Sequence, residues 1–335
     1  MNLKDIANRA GVSSATVSMV LHNKGGVSRE TRTRVEALLI ENGYTIDSKS
    51  ENGEKGGRNI RFLKYSLSSH LVDENPGFIS AIIDSVEREC RRLGYSLTMT
   101  AFRQKATGEI FESLRRERPD GVLLLGTEWT PADCRYLEGL DIPLVVLDND
   151  LTNLPYNCVT GNPYSNIVTA VRYLSSRGHR EIGYLLTTEP SCNCLESYRG
   201  YRDALTELDI PFDEQLVYEV SPTFMGAYHS MRDHLAAGRS VPSALLTNND
   251  NLALGTMKAL KEAGYRIPED VALIGSDDTA AAAMAEPPLT SMHPDCRRIG
   301  IWAVRLLCDL IEYPDSPTTK MRLSSYLVER KSTEK

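Results

Sequence analysis

Apolar positions along this chain follow three rhythms. At the start, Leu3, Ile6, Ala7 and Ala10 recur at helical spacing after Asn2, a candidate cap, and Gly11 stops the run. Val17, Val20 and Leu21 form a second short face that Ser13 can cap. Val35, Leu38 and Leu39 form a third behind Ser28, with Arg29, Arg32 and Arg34 left to solvent and Gly43 closing the helix before Tyr44. Three helices therefore fit into residues 1–46. The second rhythm is no rhythm: residues 47–59, DSKSENGEKGGRN, are polar throughout, with three glycines and no aliphatic or aromatic side chain, which predicts a flexible tether. From Ile60 onward, β-rich runs at 60–65, 95–100, 120–126, 142–148, 181–187, 215–220, 243–248 and 270–278 alternate with amphipathic stretches. These stretches, near 78–93, 107–117, 131–139, 163–177, 196–207, 224–237 and 250–263, read as helices. Such alternation predicts parallel sheets covered on both faces, so the fold class is α plus α/β. The strand count suggests two sheet units, with a ligand cleft between them beyond the carboxyl ends of the strands.

Length and composition fit this division. A chain of 335 residues predicts two or three domains, and 41% hydrophobic with 25% charged residues is the composition of a globular protein with a sizeable core. No apolar run approaches the ~20 residues of a membrane span, and the opening MNLKDIANRAG has charges where a signal peptide needs an apolar stretch. A cytoplasmic protein with no membrane partner is expected. The seven cysteines are scattered, and the one-residue spacing of Cys192 and Cys194 fits neither a redox pair nor a zinc pair, so reduced thiols are expected. The net charge of −7 argues against a surface that holds nucleic acid throughout. It is uneven, however: residues 1–46 carry +2 and the remainder −9, which is the pattern expected if only the head meets phosphate.

Helix, short turn, helix is a geometry in which the second helix can lie in a major groove. The DNA-facing set is Ser13, Ser14, Ala15, Thr16, Ser18, Met19, His22, Asn23 and Lys24. The serine hydroxyls can bond bases or phosphates, Ala15 and Met19 can touch a thymine methyl, and His22 can reach phosphate. A three-helix cap that binds nothing is the plain alternative.

The run LKDIANRAGVSSATVSMVLHNKGGVSRETRTRVEALLIENGY closely resembles the DNA-binding head of the lactose/galactose repressor (LacI/GalR) family, whose pattern is roughly KDVAxxAGVSxxTVSxVLN followed by VSxxTRxxVxxxxxxLGY. By this resemblance Ser14, Ala15 and Met19 fall where family members vary to choose their operators. The resemblance also implies a hinge helix after the head that wedges a Leu into the minor groove. The polar linker offers no such Leu. The runs NPGFISAIIDSVERECRRLGY, RPDGVLLLG, NIVTAVRYLSSRGHREIGYL, YRGYRDAL, LLTNNDNLALGTMKALKEAGYRIPEDVALIGSDDT and PPLTSMHPDCRRIG look like the family's effector-binding core. They imply a bilobed, periplasmic-binding-protein-like body over 60–335. The chain would cross between lobes three times, with 60–158 plus 291–318 in one lobe and 159–290 plus 319–335 in the other.

The resemblance further implies a homodimer on double-stranded operator DNA, most simply a repressor, that senses a small polar effector, a carbohydrate or nucleoside-like molecule. Phe78, Asn249 and Asp277 match effector-contacting positions, and Asp148 is an added candidate; a strand-end cap or a core Phe is the plain alternative for each. Asp277 and Asp278, being adjacent, make a poor acid/base pair. Ser197 stands where the family usually has an Arg that clamps the effector, with Arg199 two places too late. Around 221–226 Ser221 fills the slot of an aromatic lid, and Phe224 is the nearest ring. His179, after Gly178, reads as helix-end chemistry rather than a ligand. The stretch 294–311 offers Ile299, Ala303, Leu306, Leu307 and Leu310 as core or subunit interface. No GxxxxGK[ST], HExxH, GxSxG or CxxC motif occurs, so no enzyme, cofactor or metal site is expected. Two alternatives remain open here: a regulator that has lost small-molecule sensing and answers to a protein partner, and a solute-binding protein of the periplasmic type.

Overall fold

The computed structural model describes residues 3–21, 26–42, 44, 58–67, 72 and 76–334. The chain divides into two compact units, Met1–Gly57 and Arg58–Lys335. The tether expected over 47–59 therefore lies almost wholly outside the described residues, as do the Asn2 cap and the Gly43 stop.

In the first unit, α1 (Leu3–Ala10), α2 (Ser14–Leu21) and α3 (Arg29–Glu41) bury one common cluster of Ile6, Ala7, Ala10, Val17, Val20, Val35 and Leu39. Gly11 adopts a φ of 67°, the left-handed turn that lets Val12 N–H bond the Ala7 carbonyl at 3.0 Å and ends α1. Ser13 Oγ accepts from Thr16 N–H at 3.1 Å, and Ser28 Oγ from Thr31 N–H at 3.3 Å, so both predicted caps form. Arg32, expected in solvent, is half-buried instead and lies 3.9 Å from Glu36 one turn on.

The second unit begins slightly earlier than the pattern of apolar residues predicts. Asn59 already pairs with Ser96, so β1 is Asn59–Ser66 rather than starting at 60. The first sheet has the order β11 (Lys320–Leu323), β5 (Asn157–Gly161), β4 (Leu144–Leu147), β3 (Gly121–Leu125), β1, β2 (Ser96–Arg103). The second has the order β12 (Tyr326–Val328), β10 (Thr290–His293), β9 (Ala272–Ser276), β8 (Ala244–Leu246), β6 (Ile182–Thr187), β7 (Val217–Val220). All pairings are parallel except β10 with β12.

Helices α4 (Pro76–Arg92), α5 (Thr107–Glu117) and α11 (Cys296–Glu312) belong to the first lobe. In the second are α6 (Pro163–Ser176), α7 (Cys192–Glu207), α8 (Phe224–Ala236), α9 (Asp250–Glu262) and α10 (Ala280–Met284). The chain crosses between lobes after β5, after β10 and after β11. These pairings shift the expected boundaries: 159–161 and 319–323 join the first lobe, because β5 and β11 pair there, and 291–293 stay in the second with β10. Residues 131–136 form a 3-10 turn and not the expected α-helix; Pro131 opens it behind a Thr130 cap. Ile299, Ala303, Leu307 and Leu310 are buried in the first-lobe core, so α11 is core, with Leu306 half-buried beside it.

Candidate functional site

Two surfaces carry chemistry. In the head, the short turn from Gly11 to Ser13 leaves the amino end of α2 standing clear of the cluster that holds it. Ser13, Ser14 and Ala15 are exposed, Thr16, Ser18 and Met19 are half-exposed, and Val17 and Val20 are buried beneath them. Ser13 and Thr16 hydroxyls lie 2.9 Å apart, which ties the first of these positions to the helix cap. His22, Asn23 and Lys24 lie outside the described residues. The side chain of Arg34 is exposed on α3.

The second surface is a cavity of about 100 Å³ between the two lobes of the body. Its walls are the residues that follow strand ends. Thr127 follows β3, Asp148 follows β4, Thr160 and Gly161 end β5, Asn248 and Asn249 follow β8, and Ser276 and Asp277 end or follow β9. Phe78 and Ile79 from α4, and Ser191, Asn193, Cys194 and Ser197 from the amino end of α7, complete much of the lining. All five predicted effector residues, Phe78, Asp148, Ser197, Asn249 and Asp277, thus face one cavity.

They do different work. Phe78 is half-buried and packs on the first-lobe core. Asn249 caps α9, its Oδ1 accepting from Asn251 N–H at 2.7 Å and Leu252 N–H at 3.3 Å, which turns its amide nitrogen to other use. Asp277 takes a φ of 102° while its N–H bonds the Met292 carbonyl at 2.9 Å, turning the chain at the end of β9. Ser197 is wholly buried beside the Tyr184 hydroxyl. Arg199 is exposed and stacks over the Tyr164 ring at 5.1 Å, so no guanidinium from α7 enters the cavity. Neither Ser221 nor Phe224 lines it: Phe224 lies in a separate hollow with Leu254 and Met257.

Asp148 also joins the lobes. Its Oδ2 accepts from Thr127 Oγ1 at 2.6 Å, while Asn193 of the other lobe donates to its Oδ1 at 3.1 Å and to its carbonyl at 2.9 Å. Burial pushes this carboxyl up to about 6, against the pull of those hydrogen bonds. A second bridge lies nearby. Arg322 on β11 contacts Asp150 of its own lobe and holds Glu196 of α7 by two bonds, at 2.8 and 3.0 Å.

Outside the cavity, His179 is buried with Nδ1 2.9 Å from Ser243 Oγ, and its N–H bonds the Leu174 carbonyl to finish α6. It ends a helix as expected, and is packed inside. Asp278 is bound by Arg330 and lies 2.8 Å from His293 Nδ1. All seven cysteines are free. Among the described residues no His/Cys/Asp/Glu cluster suits a metal, and no helix is long and apolar enough to cross a membrane. Sequence reasoning missed Thr127, Thr160, Asn193 and Asn248. A rule that reads the second residue after each buried strand would have found Thr127 and Asn248. Asn193 had no signal, because the helix that carries it starts four residues before the amphipathic pattern begins.

Comparison with known proteins spans both units. The family described as bacterial regulatory proteins, lacI family, matches residues 2–47, and a periplasmic binding protein-like domain matches residues 171–333. The chain is 30% identical over 341 residues to the HTH-type transcriptional repressor PurR of Mannheimia succiniciproducens, covering 99% of this chain and 98% of that protein. It is likewise 30% identical over 341 residues to PurR of Vibrio atlanticus, covering 98% and 97%. Among solved structures it is similar to a transcriptional regulator CelR–cellobiose complex, at 26% identity over 99% of both chains with a TM-score of 0.74. It is also similar to the lac repressor dimer bound to operator and the anti-inducer ONPF, at 26% identity over 99% of both chains with a TM-score of 0.73.

Proposed function

The chain belongs to the LacI family of bacterial regulatory proteins, DNA-binding transcriptional regulators with a ligand-responsive body, and on that premise we propose how it reads DNA and what controls it. Two heads of a homodimer bind a palindromic operator and repress transcription, and a small polar effector in the interlobe cleft sets their spacing. The observation that carries this reading is the exposed amino end of α2, since recognition helices meet base edges with their first turns. Ser13, Ser14, Thr16 and Ser18 supply hydroxyls to phosphates and bases, and Ala15 and Met19 select among base edges by apolar contact. His22, Asn23 and Lys24 extend the phosphate contacts. The protein works in the cytoplasm, where its operator is.

The dimer follows from the arithmetic of the operator, since one three-helix head makes too few contacts to find one site in a genome. The lac repressor in the similar complex is itself a dimer. An effector of carbohydrate or nucleoside type fits a cleft walled by hydroxyls, amides and carboxylates with one half-buried aromatic. Cellobiose is bound in the similar CelR structure. A head joined to the body in one chain, and likeness to repressors along its whole length, favour this over a solute-binding protein.

Selection of binding sites from random duplex DNA tests the reading. The full chain is expected to enrich a palindrome, and Ala15 or Met19 variants are expected to enrich a different one, each wrong base costing about 1 to 3 kcal/mol. Arg34→Ala is expected to weaken operator and random DNA together and to flatten the salt dependence. If Ala15 and Met19 variants enrich the parent's sequence unchanged, α2 is not the reading helix.

A further inference from the structure

Resting on the reading of the interlobe cavity as an effector site, we infer that the bridge from Asn193 to Asp148 sets an upper limit on ligand size. The effector is then a small polyhydroxylated compound, no larger than a five-carbon polyol, with one hydroxyl bonded to Thr160. The bridge is part of the cavity wall, since both of its residues line the cavity. Asn193, in the first turn of α7, donates its amide to the Asp148 carbonyl at 2.9 Å and to Oδ1 at 3.1 Å, which holds the lobes together at the cavity itself.

Both sides of the bridge are fixed. Asp148 has a left-handed backbone, with a φ of 58°, and Thr127 Oγ1 donates to its other carboxylate oxygen at 2.6 Å. The amide of the neighbouring Asn149 ties down the Gly126 and Trp129 carbonyls at 2.9 and 2.8 Å. In the other lobe Ser191 caps α7, its Oγ accepting from Cys194 N–H at 3.4 Å, so the turn that carries Asn193 is anchored. Partners held this way bond at about 3 Å or not at all, and a ligand that parts the lobes by about 1 Å forfeits both bonds. With the bridge made, the cavity measures about 100 Å³. A protein cavity of ~150 Å³ admits benzene, with about six non-hydrogen atoms. For a partly open cleft the ceiling is about ten such atoms, the size of a five-carbon polyol. A hexose, a disaccharide or a nucleoside is larger and must break the bridge to enter.

A separate feature points to the hydroxyls. Thr160 of β5 is 2% exposed and lines the same cavity, and its Oγ1 has no hydrogen-bond partner within the protein. An unpaired buried hydroxyl costs stability, and a ligand hydroxyl, which both donates and accepts, recovers that cost. Thr160 belongs to the first lobe and Asn193 to the second, so a ligand small enough to sit under the bridge and bonded to Thr160 favours the closed body.

The test is calorimetric titration and thermal shift of the full chain with a size series of three- to five-carbon polyols, hexoses, disaccharides and nucleosides. Concentrations are kept low enough that polyols do not stabilise as co-solvents. Polyols of three to five carbons are expected to bind at least about tenfold more tightly than hexoses and larger compounds. Asn193→Ala is expected to lower that preference about tenfold, by weakening the small ligands and sparing the large ones. Thr160→Val, which keeps the shape, is expected to weaken every size about tenfold and to raise the melting point of the unliganded chain by about 2 to 4 °C. Tightest binding of a hexose or larger compound by the parent, or equal weakening of all sizes by Asn193→Ala, overturns the size limit while leaving the effector site standing. A lower melting point for Thr160→Val overturns the part given to its hydroxyl. If nothing in the series binds while operator binding persists, the effector reading falls, and this inference with it.

Discussion

Asp148 shows how one side chain links chemistry to stability. Its carboxyl is 5% exposed and held up to about 6 by burial, against an ordinary value of 3.8. A raised carboxyl favours the protonated folded state: the stability it contributes is complete below about pH 4 and is lost as pH rises through about 6. Asp148→Asn removes that loss. The stability difference between variant and parent is therefore expected to grow by about 2 to 3 kcal/mol between pH 4 and pH 7, as denaturant unfolding at each pH would show. A flat difference would mean that the carboxylate is better solvated than its surroundings indicate. Asp250 is also held up to about 6 by burial, although the Thr279 N–H and the Thr279 and Ser291 hydroxyls all donate to it. Asp148 in one lobe and Asp250 in the other are thus bonded yet costly to ionise.

Among the elements, the packing of α4 on α11 is the tightest constraint on the first lobe. A Cβ added at Gly300 would stand 1.9 Å from Ser85 Oγ and 2.8 Å from the Ile82 carbonyl. Gly300→Ala must push the helices apart and is expected to destabilise the body by about 1 to 3 kcal/mol, seen as a lower denaturant midpoint. Gly77→Ala on α4, where nothing lies within 4 Å, is the control and is expected to be neutral or stabilising by up to about 1 kcal/mol. The sequence foretold the elements whose burial is continuous. β3 is buried at all five positions over the apolar run 122–125, the apolar residues 272–274 open the equally buried β9, and α2 and α3 carry both a stripe and a cap. It was silent on β5, β10, β11 and β12, which span three to five residues and take their pairing from neighbours; β11 and β12 are half-exposed edge strands. Site residues were legible where they follow such runs, as Asp148, Asn249 and Asp277 do. Thr160 closes a strand with no pattern of its own, and Asn193 belongs to a helical turn fixed by the Ser191 cap, so neither could be placed.

For the whole molecule, closure of the body is a balance between the cavity and the two bridges beside it. Arg322 contacts Glu196 across the lobes with both side chains well under half exposed, so this pair is shielded more than a surface pair. Arg322→Met is expected to shift the lobes toward an open state, raising the radius of gyration in solution scattering and weakening any cleft ligand about tenfold. An unchanged scattering profile would show that Asn193 and Asp148 suffice. The threefold crossing has a consequence for how the protein is made. α11, which supplies Ile299, Ala303 and Leu307 to the first lobe, and the edge strands β11 and β12 are translated after nearly everything they pack against. On the ribosome the head can finish folding early, while both lobes wait with open sheet edges until the final segment emerges. Nascent chains stalled before α11 should therefore hold a formed head and a first lobe exposed to chaperones.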